Sequence, residues 1–194
     1  ELKDKQQKKS TASIVPHAPY TMSRELLQLI DGYASKNNST ISIHNQESPG
    51  EDELFVSLSG PLFDLFKELG FDTGFFRQTH VNALRSTLPH LLNASKILFV
   101  HNTYTSREDI LWAEEQVKKT GRPTEIYWCT CPNANLYIEN RLLDYSNFLD
   151  TSSKMTVGTD SLASNRSLSV LDELKTISNY NPSISLQTLL TWAT

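Results

Sequence analysis

Three histidines and two acids stand where this chain could do chemistry with them: His17, His44, Glu47, His101 and Asp160. Imidazole nitrogens and a carboxylate are the ligand and acid–base set of a catalytic zinc-type site. The nitrogen and oxygen donors hold the ion, and a positioned carboxylate moves the proton. Taken singly, each residue says little, because a histidine after an apolar run is more often a loop or packing residue. Their shared placement says more. Runs rich in β-branched and aromatic residues end on four of them: "TASIVPH" at His17, "STISIH" at His44, "KILFVH" at His101 and "KMTVGTD" at Asp160. Glu47 follows His44 in "HNQE", and a three-residue offset past a strand end can bring a carboxylate back over the same mouth.

A fifth run, "TEIYWC", ends at Cys129. The runs are nearly continuous in hydrophobicity rather than alternating, as parallel strands covered on both faces should be. Helical patterns separate them. "SRELLQLIDGYASKN" repeats Leu26, Leu27, Ile30 and Tyr33 at helical spacing behind Ser23 as an N-cap. "TSREDILWAEEQVKKTG" opens with Thr105 and Glu108 at capping-box spacing and closes on Lys118, Lys119 and Gly121. "SVLDELKTI" places Ser169 and Asp172 at the same spacing after Asp160.

The strand ends at 17, 44, 101, 129 and 160 lie 27, 57, 28 and 31 residues apart, and the longest interval holds extra helical material broken at Gly60-Pro61 and near Gly70 to Gly74. This predicts about five successive βα units. An open doubly wound sheet lacks its usual phosphate turn here, since neither G-x-G-x-x-G nor a P-loop occurs. A complete (β/α)8 barrel takes eight strands and about 250 residues. The expected fold is therefore α/β, a partial TIM-type (β/α)8 barrel with a parallel sheet of about strands 4 to 8. In a barrel the C-terminal strand ends form the catalytic face, so His17, His44, His101 and Asp160 should converge.

Composition narrows the function. The 194 residues carry a net charge of −4, which gives no basic surface for nucleic acid. The one charge run, "ELKDKQQKK", reads as a solvated end. No segment has the length of a membrane span and none resembles a signal peptide, so a cytoplasmic setting is expected. Cys129 and Cys131, one residue apart and without a second pair, are expected to be reduced rather than bridged or zinc-bound. Both ends look cut, and residues 1–194 are expected to form the C-terminal half of a barrel, truncated at each end.

"VPHAPYTMS", "SIHNQE", "ILFVHN", "CPNANLYI" and "VGTDSLASNRSLSVLDEL" resemble, in order and spacing, the second half of the amidohydrolase superfamily. The branch they resemble is that of metal-dependent purine-type deaminases and chlorohydrolases, which includes S-adenosylhomocysteine/methylthioadenosine deaminase and guanine deaminase. The resemblance implies roles. His44 matches the metal-binding histidine of strand 5. Asp160 matches the strand 8 aspartate that binds the metal and accepts a proton from its water. His101 matches the strand 6 histidine that contacts that water and the tetrahedral intermediate. Glu47 matches the acid that protonates the ring nitrogen beside the attacked carbon, and His17 a substrate-contacting histidine of strand 4.

Three departures accompany this. The H-x-H pair that supplies two further metal ligands at strand 1 is absent from the chain; His80 and His90 are isolated in the helical insert, and His90 reads as a packing residue. "HNTYTS" carries Tyr104 where many relatives have a second histidine, and "CTCPNANLY" puts Cys131 near the rim. The resemblance implies hydrolytic deamination of a nucleobase-like or related heterocyclic small molecule through a divalent ion, zinc by default with iron or manganese also accommodated. Hydrolysis of a cyclic amide or a C–halogen bond on the same fold is the alternative, as is a non-catalytic binding relative. Without the H-x-H segment the chain alone should be nearly inactive. Its open sheet edges predict a homo-oligomer or the remainder of a longer chain.

Overall fold

The computed structural model describes residues 13–194. The charged run at the start and the first two residues of "TASIVPH" lie outside the described residues. Strands β1 (Thr40–Asn45), β2 (Lys96–His101), β3 (Glu125–Thr130) and β4 (Met155–Val157) form one four-stranded parallel sheet in chain order. Parallel neighbours need crossovers, and helices supply them. Helix α1 (Arg24–Asn37) precedes β1. Helices α2 (Pro49–Ser57), α3 (Pro61–Glu68) and α4 (Ala83–Thr87) lead to β2, and α5 (Arg107–Thr120) leads to β3. Helices α6 (Pro132–Glu139) and α7 (Tyr145–Asp150) lead to β4, and α8 (Val170–Tyr180) and α9 (Leu186–Ala193) follow it.

The strands are not uniformly buried. Ile41 and Ile43 on β1, Ile97 and Phe99 on β2, and Ile126 and Trp128 on β3 pack in one core with Ile30 and Ala34 of α1 and Ile110 and Ala113 of α5. The alternate residues Ser42, His44, Leu98, Val100 and Tyr127 are only half-buried, because they face the other side of the sheet. That second side is the one on which the site forms.

The expected strand ending at His17 is not a strand among the described residues: residues 13–18 are irregular. Pro16 has no N–H to give to a ladder, and one bond, from His44 N to the His17 carbonyl at 3.0 Å, ties the segment to β1. The segment still runs where the neighbouring strand would lie.

Helix starts follow hydroxyl chemistry. Ser23 Oγ accepts from Leu26 N at 3.1 Å, and Ser169 Oγ from Asp172 N at 3.3 Å. The cap of α5 is Ser106, accepting from Asp109 N, not Thr105. Thr105 is buried and its hydroxyl is already engaged by Gln46 and Asn45, so the next residue takes the cap. On α1 the buried stripe is Leu27, Ile30 and Ala34 together with Asp31, while Leu26 and Tyr33 fall on its exposed flank. Asp31 is no misfit, since it accepts from Asn93 N and Ala94 N and anchors the turn that enters β2.

The insert after β1 breaks at Gly60, as expected from the sequence. Gly60 has φ 91°, a backbone conformation that strains any L side chain, and a Cβ there would also lie 3.0 Å from Glu53 Cβ, so glycine suits the break between α2 and α3. His80 bonds Gln78, and His90 is half-buried beside Gln28 rather than in the core.

Candidate active site

His44 is the last half-buried residue on the inner face of β1. The register sets Asn45 opposite His101, so the pleat alone would aim His101 with Asn45 away from His44. His101 instead has φ 75°, which swings its Cβ to the other side of the strand. The two imidazole centroids then lie 4.7 Å apart, and the ring of His17 lies 4.9 Å from that of His44. Asp160, past the end of β4, is likewise in the left-handed region with φ 55°. Non-glycine residues in that region cost on the order of 1–2 kcal/mol each. Gln46 and Asn102 beside the site share this conformation, as do five residues elsewhere among the described ones.

One donor atom each from His44, His101 and Asp160 lie within 4.8 Å of one another, a spacing that could hold a metal ion. Glu47 closes the mouth: Oε1 is 3.5 Å from His101 Nε2 and Oε2 is 4.0 Å from His44 Nδ1. Burial holds both imidazoles below their ordinary range, His44 further lowered by the proximity of His101, and burial raises the Glu47 carboxyl. Burial thus disfavours the charged form of all three groups.

The residues fit a divalent ion. His101 Nδ1 is 2.8 Å from Asn135 Oδ1, while Asn135 Nδ2 donates to the His101 carbonyl at 3.4 Å and so fixes which way the amide faces. The ring proton is thereby held on Nδ1. Nε2 is left as a bare lone pair, buried and with no hydrogen-bond partner. A buried unpaired nitrogen is costly unless something occupies it, and an amide bonded to the opposite ring nitrogen is how histidines around a metal are oriented.

Behind Glu47, Glu51 of α2 is fully buried and accepts from Gln46 N at 2.9 Å and Glu47 N at 3.3 Å. Burial pushes its pKa up to about 8 against those bonds. Gln46 continues the net to Asp52 and Thr105, and Asn45 to Asn102 and Thr105. On the β3 side, Cys129 and Cys131 are buried free thiols. Cys131 is thus enclosed rather than lining the rim. A Cβ at Gly158 would lie 3.0 Å from Cys129 Sγ and 3.2 Å from Cys131 Sγ, so the bare glycine lets the turn into Asp160 pass close to both. Tyr104 donates to Glu139 Oε2 at 3.0 Å beneath Arg141.

The structure brings together His17, His44, Glu47, His101 and Asp160, the residues singled out from the sequence. Asn135 and Glu51 were not legible there. Each is a polar residue on a helix face whose burial no local pattern reveals. A groove of about 1020 Å³ between α6 and α8 contains none of the five, so donor geometry, not concavity, marks the site.

The amidohydrolase family model matches residues 1–194. The chain belongs to the amidohydrolase family. It is 30% identical over 178 residues to an adenosine deaminase of Helicobacter pylori, covering 90% of this chain and 41% of that protein. It is 28% identical to an aminodeoxyfutalosine deaminase of Deinococcus radiodurans, covering 82% of this chain and 38% of the relative. Its fold superposes on a crystal structure of Helicobacter pylori aminofutalosine deaminase in complex with methylthio-coformycin with a TM-score of 0.80 at 26% identity, covering 99% of this chain and 45% of the other. An adenosine deaminase from Xanthomonas campestris with bound zinc shares the fold at a TM-score of 0.69 and 19% identity, covering 94% of this chain and 37% of the other. The chain thus spans less than half the length of these relatives. Its α/β fold is that of amidohydrolase barrels, and the family is metal-dependent.

Proposed function

We propose that this chain supplies the C-terminal half of the barrel of a metal-dependent deaminase that hydrolyses the exocyclic amino group of an adenosine-like nucleoside. The observation that carries this reading is the convergence of His44, His101 and Asp160 donor atoms within 4.8 Å, with Glu47 against His101 Nε2. The relatives named above, deaminases of adenosine and aminodeoxyfutalosine, support the substrate class.

His44 and Asp160 would hold the ion, and a bound divalent cation would make hydroxide available by lowering the pKa of water towards about 7. Zinc suits the nitrogen and oxygen donors. Asp160 takes the proton of the attacking water. Glu47, raised by burial, holds a proton at neutral pH better than an exposed glutamate and gives it to the ring nitrogen beside the attacked carbon. His101, its proton fixed on Nδ1 by Asn135, presents Nε2 to the attacking oxygen. His17 packs against the substrate ring. The two further ligands would come from an H-x-H segment outside this chain. Buried free thiols accord with a reducing, cytoplasmic setting.

Zinc titration by calorimetry tests the site. The chain should bind one equivalent, and His44→Ala or Asp160→Asn should each weaken binding about a hundredfold. Ammonia release from adenosine or 5′-methylthioadenosine, assayed with the H-x-H segment restored, should vanish in Glu47→Gln. Zinc binding indifferent to His44 and Asp160 would refute the assignment.

A further inference from the structure

The loop that carries Asp160 has little backbone to hold it. Strand β4 is three residues long, and its ladder to β3 ends with Gly158 N donating to the Thr130 carbonyl at 2.9 Å. Asp160, two residues on, sits at positive φ and would relax if free. Side chains hold it instead. Ser164 donates to Asp160 Oδ2, and Asn165 Nδ2 donates to the Thr159 carbonyl at 2.6 Å. Asn165 is itself held, because the same amide nitrogen reaches Glu173 Oε1 at 2.5 Å.

Glu173, in the first turn of α8, has no exposed surface. Its carboxylate is filled from two elements. Asn133 N donates to Oε2 at 2.8 Å and Asn133 Nδ2 donates to Oε1 at 2.9 Å. Asn133 N is a first-turn amide of α6, a helix whose N-cap Cys131 gives no side-chain bond, so Glu173 satisfies it from outside. One buried carboxylate therefore ties the start of α6, the start of α8 and the Asp160 loop together. Carboxylates in such sites take their bonds from fixed N–H groups and are strongly directional.

Resting on the functional reading above, we propose that Glu173, acting through Asn165, is the positioning residue that fixes Asp160 for the metal. Metal affinity, and not only the stability of the fold, then depends on two residues that touch neither ion nor substrate. Residues that hold a metal ligand in place typically govern affinity by about 10- to 100-fold.

Thr176 provides the internal control. Its hydroxyl donates to Asn133 Oδ1 at 2.7 Å, so it belongs to the same net but lies off the path to Thr159 and Asp160. The test measures zinc affinity, the absorption spectrum of bound cobalt(II) and Tm for the unaltered chain, Asn165→Ala, Glu173→Gln, Thr176→Val and Asp160→Asn. Glu173→Gln is the milder change, keeping one acceptor oxygen while facing an amide towards Asn133 N, and it carries the test if Asn165→Ala does not fold. The expected result is zinc binding weakened about tenfold or more in Asn165→Ala and Glu173→Gln, with an altered cobalt spectrum. Thr176→Val should lose stability with affinity unchanged. Affinity within twofold of the unaltered chain in Asn165→Ala or Glu173→Gln, or an equal loss in Thr176→Val, would overturn the inference while Asp160→Asn still reported the metal site. No zinc or cobalt binding by the unaltered chain would overturn the functional reading and this inference with it.

Discussion

The rim formed by the ends of β1 and β2 and the rim at the end of β4 both present an acid to His44 and His101, but they hold it differently. Around Glu47 the backbone is paired and the support is deeply buried. Asn45, Gln46, Glu51, Asn102 and Thr105 are all buried, and their side chains bond one another or the backbone beneath. Asn102 donates to the Phe99 and Cys129 carbonyls at 2.9 and 3.0 Å, joining the ends of β2 and β3. Around Asp160 the ladder is short and, among the described residues, β4 pairs only with β3. There Ser164, Asn165 and Glu173 do what ladder bonds do elsewhere. The difference implies that damage at the first rim registers as lost folding stability, and damage at the second as lost ligand affinity. Buried polar nets are costly when partly broken, whereas a loop can move without unfolding its core.

The strongest break concerns Glu51. Its folded pKa of about 8 lies above its unfolded value, so between those values the folded state binds the extra proton. The stability contributed by this group should therefore be fully present below about pH 4.5 and be lost as pH rises through about 8, with an upper bound on the order of 5 kcal/mol. Urea midpoints measured from pH 5 to 8 should show the decline, and Glu51→Gln should flatten it. An unchanged slope in that variant would place the pH dependence elsewhere.

Asn102→Ala strips two buried carbonyls of their donor and Asn45 Nδ2 of an acceptor, at a residue whose φ of 56° favours asparagine. A loss of about 2–4 kcal/mol is expected in chemical denaturation. Asn135→Ala falls between the two rims. It frees the His101 ring, and ammonia release, assayed with the H-x-H segment restored, should fall by about 10- to 100-fold with zinc affinity little changed and a small change in Tm. The smallest effect is expected at the β4 rim itself. Ser164→Ala removes one bond to Asp160 and should lower stability by about 1 kcal/mol or less. Zinc affinity should drop a few-fold in the same variant. A Ser164→Ala protein that lost as much stability as Asn102→Ala would erase the distinction between the rims.

Much of this was legible in the residues. The apolar runs ending in His44, His101 and Asp160 located β1, β2 and the end of β4, because a buried parallel strand must be apolar along its length. Gly60 marked the break between α2 and α3, and Ser23 and Ser169 marked helix starts through hydroxyls that accept an orphan N–H. The motif blocks carried the family. Where the reading missed, a long-range partner had overridden a local signal. Thr105 had the capping spacing, but its hydroxyl was taken by Gln46, 59 residues away. The run before His17 had strand composition, but Pro16 has no N–H for a ladder, and among the described residues a single bond ties the run to β1.

The sequence by itself determined which residue types stand at the strand ends, since the hydrophobic period and the turn residues that set those ends are local. Only the tertiary structure decided which way they face and what holds them. The positive φ of His101 turns its ring inward, Asn135 reaches it across 34 residues of chain, and Glu173 reaches Asn133 across 40. No local pattern encodes those bonds. They exist because packing the helices on the sheet brings distant polar groups out of water together, where each must find a partner or destabilise the fold.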